Sequence, residues 1–311
     1  MTGSQIVAMG HYQPAKVLTN DDIAALVDTN DAWIQSRVGI RTRHIAETET
    51  VDEMAAFAGE KALSASGLTA GDVDLVVVAT CTAVDRSPSM AARVAARLGV
   101  RSPAAYDINT ACSGFCYGLA TADHAIRAGA ASTALVIASE KLSEVTDWTD
   151  RSTCILVGDG AGAAVVTGSD EPRIGPVVWG SEPEMGDAVR IEGTPAVFSQ
   201  EGQSVFRWAT TALAPIARQV CERAGVDPAD LAAVVPHQAN LRIIEPFVRQ
   251  LGATNAILAR DLVESGNTSA ASVPLALSKL LERGEIPSGA PVLLFGFGGG
   301  LAYAGQVIRC P

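Results

Sequence analysis

Residues 107–139 read DINTACSGFCYGLATADHAIRAGAASTALVIAS, and this stretch decides the fold class. A helical pattern runs from Cys112 to about Arg127 and stops at Gly129, a residue suited to the left-handed end of a helix. Ala134–Ser139 (ALVIAS) follows as a short β-branched run, the mark of a strand covered on both faces. Upstream, Asp74–Thr80 (DLVVVAT) has the same character. Strand, helix and strand in that order predict parallel crossovers in an α/β protein.

The C-terminal part repeats the plan. Ala232–Val235 reads as a strand, Thr268–Arg283 as a helix ended by Gly284, and Val292–Phe295 as a second strand. Val78 precedes Cys112 by 34 positions (112 − 78), and Val235 precedes Asn267 by 32 (267 − 235). Each half also has a Gly-rich approach to a strand, Gly158–Gly162 and Gly298–Gly300. Any α/β chain can show strand–helix–strand twice, but here Cys112 and Asn267 both open the corresponding helix. The pattern predicts an internal duplication: two α/β halves, 1–169 and 170–311, packed about a pseudo-twofold axis. The seam lies near Thr167–Pro172 (TGSDEP), and Gly175–Glu201 reads as loop and edge structure.

Composition agrees. Of 311 residues, 48% are hydrophobic, 18% charged and 5% aromatic, which suits buried strands and small-residue helices. The net charge is −11, so a general affinity for nucleic acid or an anionic membrane is not expected. The six cysteines form no CxxC pair and read as free thiols in a reducing compartment. No signal-peptide pattern opens the sequence, and no run approaches the ~20 apolar residues of a membrane span. The expected location is the cytoplasm.

Three residues carry the chemistry. Cys112 sits where a helix begins; partial positive charge and unpaired N–H groups there predict a lowered thiol pKa. Cys116, one turn on, suits an inert buried role. Of the four histidines, His11, His44 and His124 lie in polar or mid-helix surroundings. His237 instead leaves a buried strand through Pro236, which predicts an imidazole at the strand's carboxyl end, where α/β sheets keep their ligand chemistry. Asn267 reads as a helix N-cap whose amide can also serve as a donor. Gly296–Leu301 resembles a dinucleotide loop only superficially, because too little chain follows it. Bare backbone at Gly298–Gly300 is better suited to approach a reacting carbonyl.

Together these segments resemble β-ketoacyl-[acyl-carrier-protein] synthase III, a condensing enzyme of the thiolase superfamily. The motifs are TNDAWIQSRVGIR (29–41), NTACSGF (109–115), DRST (150–153), GDGAGAA (158–164), VPHQANLRII (235–244), GNTSAAS (266–272) and GFGGG (296–300). The resemblance spans essentially the whole chain and implies a five-layered α-β-α-β-α thiolase-like fold. It implies that Cys112 takes an acyl group from acyl-CoA, while His237 and Asn267 stabilise the enolate formed when malonyl-acyl carrier protein loses CO2. The N–H groups of Cys112 and Gly299 would form the acyl oxyanion hole. Trp33, Arg37, Arg151, Asn240 and Phe206 match coenzyme A and pantetheine positions, and Arg207, Arg242 and Arg249 match positions that dock the acidic carrier protein. No metal or organic cofactor is implied; a homodimer is.

Two departures bear on the substrate. Ser87 stands where many relatives place a bulky Phe that closes the partner subunit's acyl pocket, which implies room for branched or longer primers. The stretch 185–200 is also shorter than the family's, which leaves the pocket's shape open. A polyketide priming enzyme with a specialised starter shares the same triad and stays open as an alternative.

Overall fold

The computed structural model describes residues 2–311. Two five-stranded sheets form its frame. In the first, the order is Gly3–Tyr12, Asp159–Ser169, Thr133–Lys141, Leu75–Ala79, Ala104–Ile108. In the second it is Val178–Ser181, Ala302–Arg309, Pro291–Gly298, Ala233–Pro236, Ile257–Leu258. Both run antiparallel, antiparallel, parallel, parallel across the sheet. Helices cross over between successive parallel strands in both sheets, as the strand–helix–strand pattern predicts.

The helices Gly114–Arg127 and Ser272–Glu282 lie between the sheets, touching strands of both. Val51–Ser66 and Met90–Leu98 cover the outer face of the first sheet; Gly202–Ala224, with Leu241–Leu251 packed against it, lies on the second. The result is five layers, α-β-α-β-α, with apolar clusters filling the spaces between them. Among the described residues, no helix is long and apolar enough to cross a membrane. The helix ends fall where the glycines put them: Gly129 and Gly284 adopt φ +74° and +65°.

The repeat is tighter than the sequence offsets indicate. Leu75 corresponds to Ala233, Gly114 to Ser272 and Thr133 to Pro291, each 158 positions on (233 − 75, 272 − 114, 291 − 133). The same shift carries Ala111–Ser113, a 3₁₀ turn, onto the 3₁₀ turn Ser269–Ala271. Ala111 and Ser269 share a left-handed backbone, φ +44° and +47°, rare for residues with a side chain. This corrects one expectation. The counterpart of Cys112 is Ala270, and that of Asn267 is Asn109; Cys112 and Asn267 sit three places apart in the repeat. Both are near the start of a middle helix, which is why counting from the strands nearly aligned them.

A second correction concerns Gly158–Gly162. These glycines do not precede a strand; all but the first lie inside Asp159–Ser169. Their bareness lets the middle layer lie directly on the sheet. A Cβ on Gly162 would fall 2.7 Å from the Leu275 nitrogen, and one on Gly158 would fall 2.1 Å from the Ser265 carbonyl oxygen. The segment 175–201 does form edge structure, as expected: strand Val178–Ser181, then a hairpin of Val189–Gly193 and Ala196–Gln200.

Candidate active site

The two equivalent turns pack against each other where the halves meet, and a cavity of about 420 Å³ opens over them. Cys112, His237 and Asn267 all line it, with Gly298–Gly300 along one side. Its walls are apolar, from Phe297, Val205 and Ile243, and the short hairpin supplies Val189, Ile191 and Phe198. The 185–200 segment therefore closes one side of the pocket. A groove of about 720 Å³ leads outward, sharing Gln200, Val205, Ala239, Ile243 and Asn267 with the cavity.

Cys112 occupies the 3₁₀ turn just before the Gly114–Arg127 helix. Gly298 passes so close that a Cβ there would sit 2.8 Å from the Cys112 sulfur, so only glycine fits. The predicted lowering of the thiol pKa does not hold. Burial pushes Cys112 up to about 11, against the pull of the Ser269 hydroxyl and the Gly299 N–H. The charge of nearby Glu140 adds to the rise. Partial charge at one helix end is too small to offset lost hydration at the floor of a narrow cavity. With its pKa raised, Cys112 is a thiol at neutral pH. Cys116 is fully buried and lifted to about 12, in keeping with an inert role. All six cysteines are free.

His237 is held from several sides. Pro236 does not end the ladder: it pairs with Phe295, and the His237 N–H adds one more rung, donating to the Phe295 carbonyl at 2.8 Å. The ring meets Phe297 edge to face, 5.3 Å between centroids. Its Nδ1 lies 2.7 Å from Ser272 Oγ, which also accepts the Gln238 N–H at 3.3 Å. In the tautomer where Ser272 donates to Nδ1, the ring proton sits on Nε2. Burial lowers the imidazole pKa to about 3, with the Ser269 backbone opposing, so the ring is neutral.

That neutrality has a measurable cost. An unfolded imidazole binds a proton below about pH 6.5, whereas His237 in the fold declines one until about pH 3. Its contribution to stability is therefore complete above pH 6.5 and drains as pH falls, by about 1.4 kcal/mol per unit. In urea titrations between pH 6 and 4.5, His237→Gln should flatten the pH dependence by about that slope. An unchanged slope would assign the proton uptake elsewhere.

Asn267 is pinned by the first half. Its N–H donates to the Leu156 carbonyl at 2.8 Å, and its carbonyl accepts the Gly158 N–H at 2.9 Å. Its side-chain oxygen accepts the Ser269 N–H at 2.8 Å, so the amide NH2 remains for the cavity. The N-cap positions themselves fall to Thr268 for the 3₁₀ turn and to Ala271 for the helix, so the capping expectation does not hold: Asn267 precedes the turn and only accepts one of its N–H groups.

The remaining predicted residues divide. Trp33, Arg37, Phe206, Arg207, Asn240 and Arg242 line the outer groove. Arg151 and Arg37 lie over the Trp33 indole, 4.9 and 5.6 Å from its centroid, and Arg242 lies 5.5 Å from that of Phe206. Arg151 already covers one indole face, so a base sandwiched there requires its guanidinium to lift. Asn240 accepts the Arg242 N–H and caps the Leu241–Leu251 helix. Arg249 is exposed on that helix, away from the groove lining. Ser87 lies on an exposed loop and does not reach this chain's cavity. Ser272, Ser269, Cys81 and Glu140 were not anticipated. Ser269 and Ser272 stood inside the GNTSAAS motif, and Glu140 was legible as a carboxylate ending the apolar run ALVIAS. Among the described residues, no cluster of three or more His, Cys, Asp or Glu could hold a metal ion.

Comparison with known proteins places this geometry. Family profiles for 3-oxoacyl-[acyl-carrier-protein] synthase III match residues 106–183, and for its C-terminal part residues 221–310. Beta-ketoacyl-[acyl-carrier-protein] synthase III 2 of Streptomyces avermitilis is 71% identical over 315 residues, covering 100% of both chains. The chain belongs to the 3-oxoacyl-[acyl-carrier-protein] synthase III family. Synthase III 4 of Streptomyces coelicolor is 70% identical, covering 99% of each chain. Among solved structures, the priming β-ketosynthase of the R1128 polyketide pathway superposes with a TM-score of 0.96 at 40% identity, covering 99% of this chain and 96% of that one. The synthase III of Aquifex aeolicus gives 0.95 at 39%, covering 99% and 100%. Membership of the synthase III family makes the chain a condensing enzyme of the acyltransferase type with a thiolase-like fold.

Proposed function

We propose that this chain starts acyl-chain synthesis: it moves an acyl group from acyl-CoA to Cys112, then joins it to malonyl-acyl carrier protein with loss of CO2. The products are 3-oxoacyl-acyl carrier protein and CoA. The observation that carries the proposal is the meeting of the Cys112 thiol, a neutral imidazole and a free carboxamide at the inner end of a single groove. Cys112 attacks the primer thioester, and the N–H groups of Cys112 and Gly299 hold the resulting oxyanion. His237 Nε2–H and the Asn267 amide then donate to the malonyl thioester oxygen as CO2 leaves. A histidine that stays neutral suits this donor role better than a base role.

The outer groove suits coenzyme A and pantetheine. Its indole and arginines offer a flat face and cations for a nucleotide with phosphates. On a chain of net charge −11, Arg207, Arg242 and Arg249 give one basic face for an acidic carrier protein. No resident cofactor takes part in these steps. We divide the chain at 169/170, since the strands of the first five-stranded sheet end at Ser169 and those of the second begin at Val178. The edge strand Ala104–Ile108 is largely exposed, with Tyr106 36% accessible, which supports a homodimer through the N-terminal half. In such a dimer Ser87 would face the partner's primer pocket. Likeness to the R1128 enzyme bears on the starter unit and leaves the chemistry unchanged.

Incubation with a panel of acyl-CoA primers, followed by peptide mass spectrometry, tests the reading. Acyl mass should appear on the Cys112 peptide, with branched and longer primers loading as well as acetyl. Labelling of another cysteine, or of none, would overturn it.

A further inference from the structure

Arg43 is the largest wholly buried side chain among the described residues, and it lines neither the cavity nor the groove. Burial lowers its pKa to about 10, which leaves it charged at neutral pH. Its bonds go to neutral oxygens. Nη1 donates to Asn20 Oδ1 at 2.9 Å and Nη2 to the Ile155 carbonyl at 2.8 Å, while Nε has no partner. Burying a cation with no carboxylate bonded to it is costly, and an apolar side chain of similar volume would avoid that cost. What the guanidinium adds is position.

The position it fixes is that of Asn267. Ile155 opens the segment 155–158, and the residues that follow hold Asn267 by its main chain. The Leu156 carbonyl accepts the Asn267 N–H at 2.8 Å, and the Gly158 N–H donates to the Asn267 carbonyl at 2.9 Å. The Arg43 stem packs on the same place. A Cβ on Gly266, the residue before Asn267, would fall 3.0 Å from that of Arg43, and one on Gly158 would fall 3.4 Å from it. The two residues before Arg43 hold the approach to Asn267: the Arg41 N–H donates to the Val263 carbonyl at 2.7 Å, and Thr42 Oγ1 to the Glu264 carbonyl at 2.9 Å.

We propose that Arg43 is a positioning residue for the condensation, holding the Asn267 carboxamide in place for the malonyl thioester through the segment 155–158. The inference rests on the donor role proposed above for Asn267. Arg43 touches no reacting atom. Its effect is geometric, because a group displaced by about 1 Å can cost about 10²-fold in rate. Cys112 belongs to a different element, the turn before the Gly114–Arg127 helix, so acyl transfer is insulated from the loss. The coenzyme side is also spared. Asn20 Nδ2 keeps its bonds to Asp31 Oδ1 and the Ile40 carbonyl, both 2.8 Å, which tie down the Asp31–Val38 helix with Trp33 and Arg37.

The test compares the two half-reactions in Arg43→Met, which fills the space without the guanidinium. Acylation by saturating acetyl-CoA, or by the primer that labels fastest, is timed by rapid quench and intact mass; decarboxylation of malonyl-acyl carrier protein is followed by CO2 release. Decarboxylation should fall about 10- to 100-fold while acylation stays within about threefold. Added to Asn267→Ala, Arg43→Met should slow decarboxylation by no more than about twofold further, because the group it positions is gone. Equal loss of both half-reactions, losses that multiply in the double variant, or decarboxylation at the wild-type rate would overturn the proposal. Urea titration reports whether Arg43→Met folds; if it does not, Arg43→Lys, which keeps the stem and the charge, carries the same comparison with a smaller loss. Wild-type decarboxylation in Asn267→Ala alone would instead strike the donor role on which the inference depends.

Discussion

Cys112→Ala is expected to cut formation of 3-oxoacyl product by at least about 10⁴-fold, because the covalent step has no substitute. The other thiol in the cavity, Cys81, is no stand-in: burial raises it well above the ordinary range, and its proton is committed to Glu140. The variant should fold normally. At the equivalent position of the second half the chain already carries Ala270, in a turn with the same left-handed lead residue. Decarboxylation of malonyl-acyl carrier protein should survive, since its donors are His237 and Asn267. The check is a product assay beside a CO2 assay on one preparation; retained condensation would remove Cys112 from the mechanism.

The converse change gives the second large effect. His237→Ala and Asn267→Ala should each lower condensation by about 10²–10³-fold, the usual consequence of deleting one donor to a developing oxyanion. Acylation of Cys112 should persist in both. His237→Ala carries an added penalty, because Ser272 Oγ is 1% exposed and loses the partner it donates to. A buried hydroxyl proton left without an acceptor costs about 1–3 kcal/mol, so this variant should also unfold at lower urea than Asn267→Ala. Loss of the acyl adduct in either variant, or condensation within tenfold of wild type, would contradict the assigned roles.

Much of this was legible beforehand because it depends on local pattern. The apolar runs at 74–80 and 134–139, and the stop at Gly129, are decided by residues close in sequence, and the structure follows them within a residue or two. The repeat was legible too, but its register was not. Periodicity locates a helix without saying which residue enters the turn before it, and that turn is where Cys112 sits. The thiol's titration failed for a related reason. Helix polarity can be read from sequence, whereas burial under the 189–200 hairpin and a charge from Glu140 come from residues distant in the chain. Ser272 shows the same limit: only the packed structure brings its hydroxyl against His237.

The matched turns at Ala111–Ser113 and Ser269–Ala271 have a consequence for how the molecule divides its labour. A duplicated ancestor would have offered two copies of each reactive position, yet the twin of Cys112 is Ala270 and the twin of His237 is Ala79. Both are small, and a Cβ added at Gly114 would fall 2.9 Å from the Cβ of Ala79 and 3.3 Å from that of Ala270. A bare Gly114 thus packs against Ala79 of its own half and Ala270 of the other, the two positions where the reactive side chain is missing. The symmetry survives in the backbone, and the asymmetry of the reaction is written entirely in side chains.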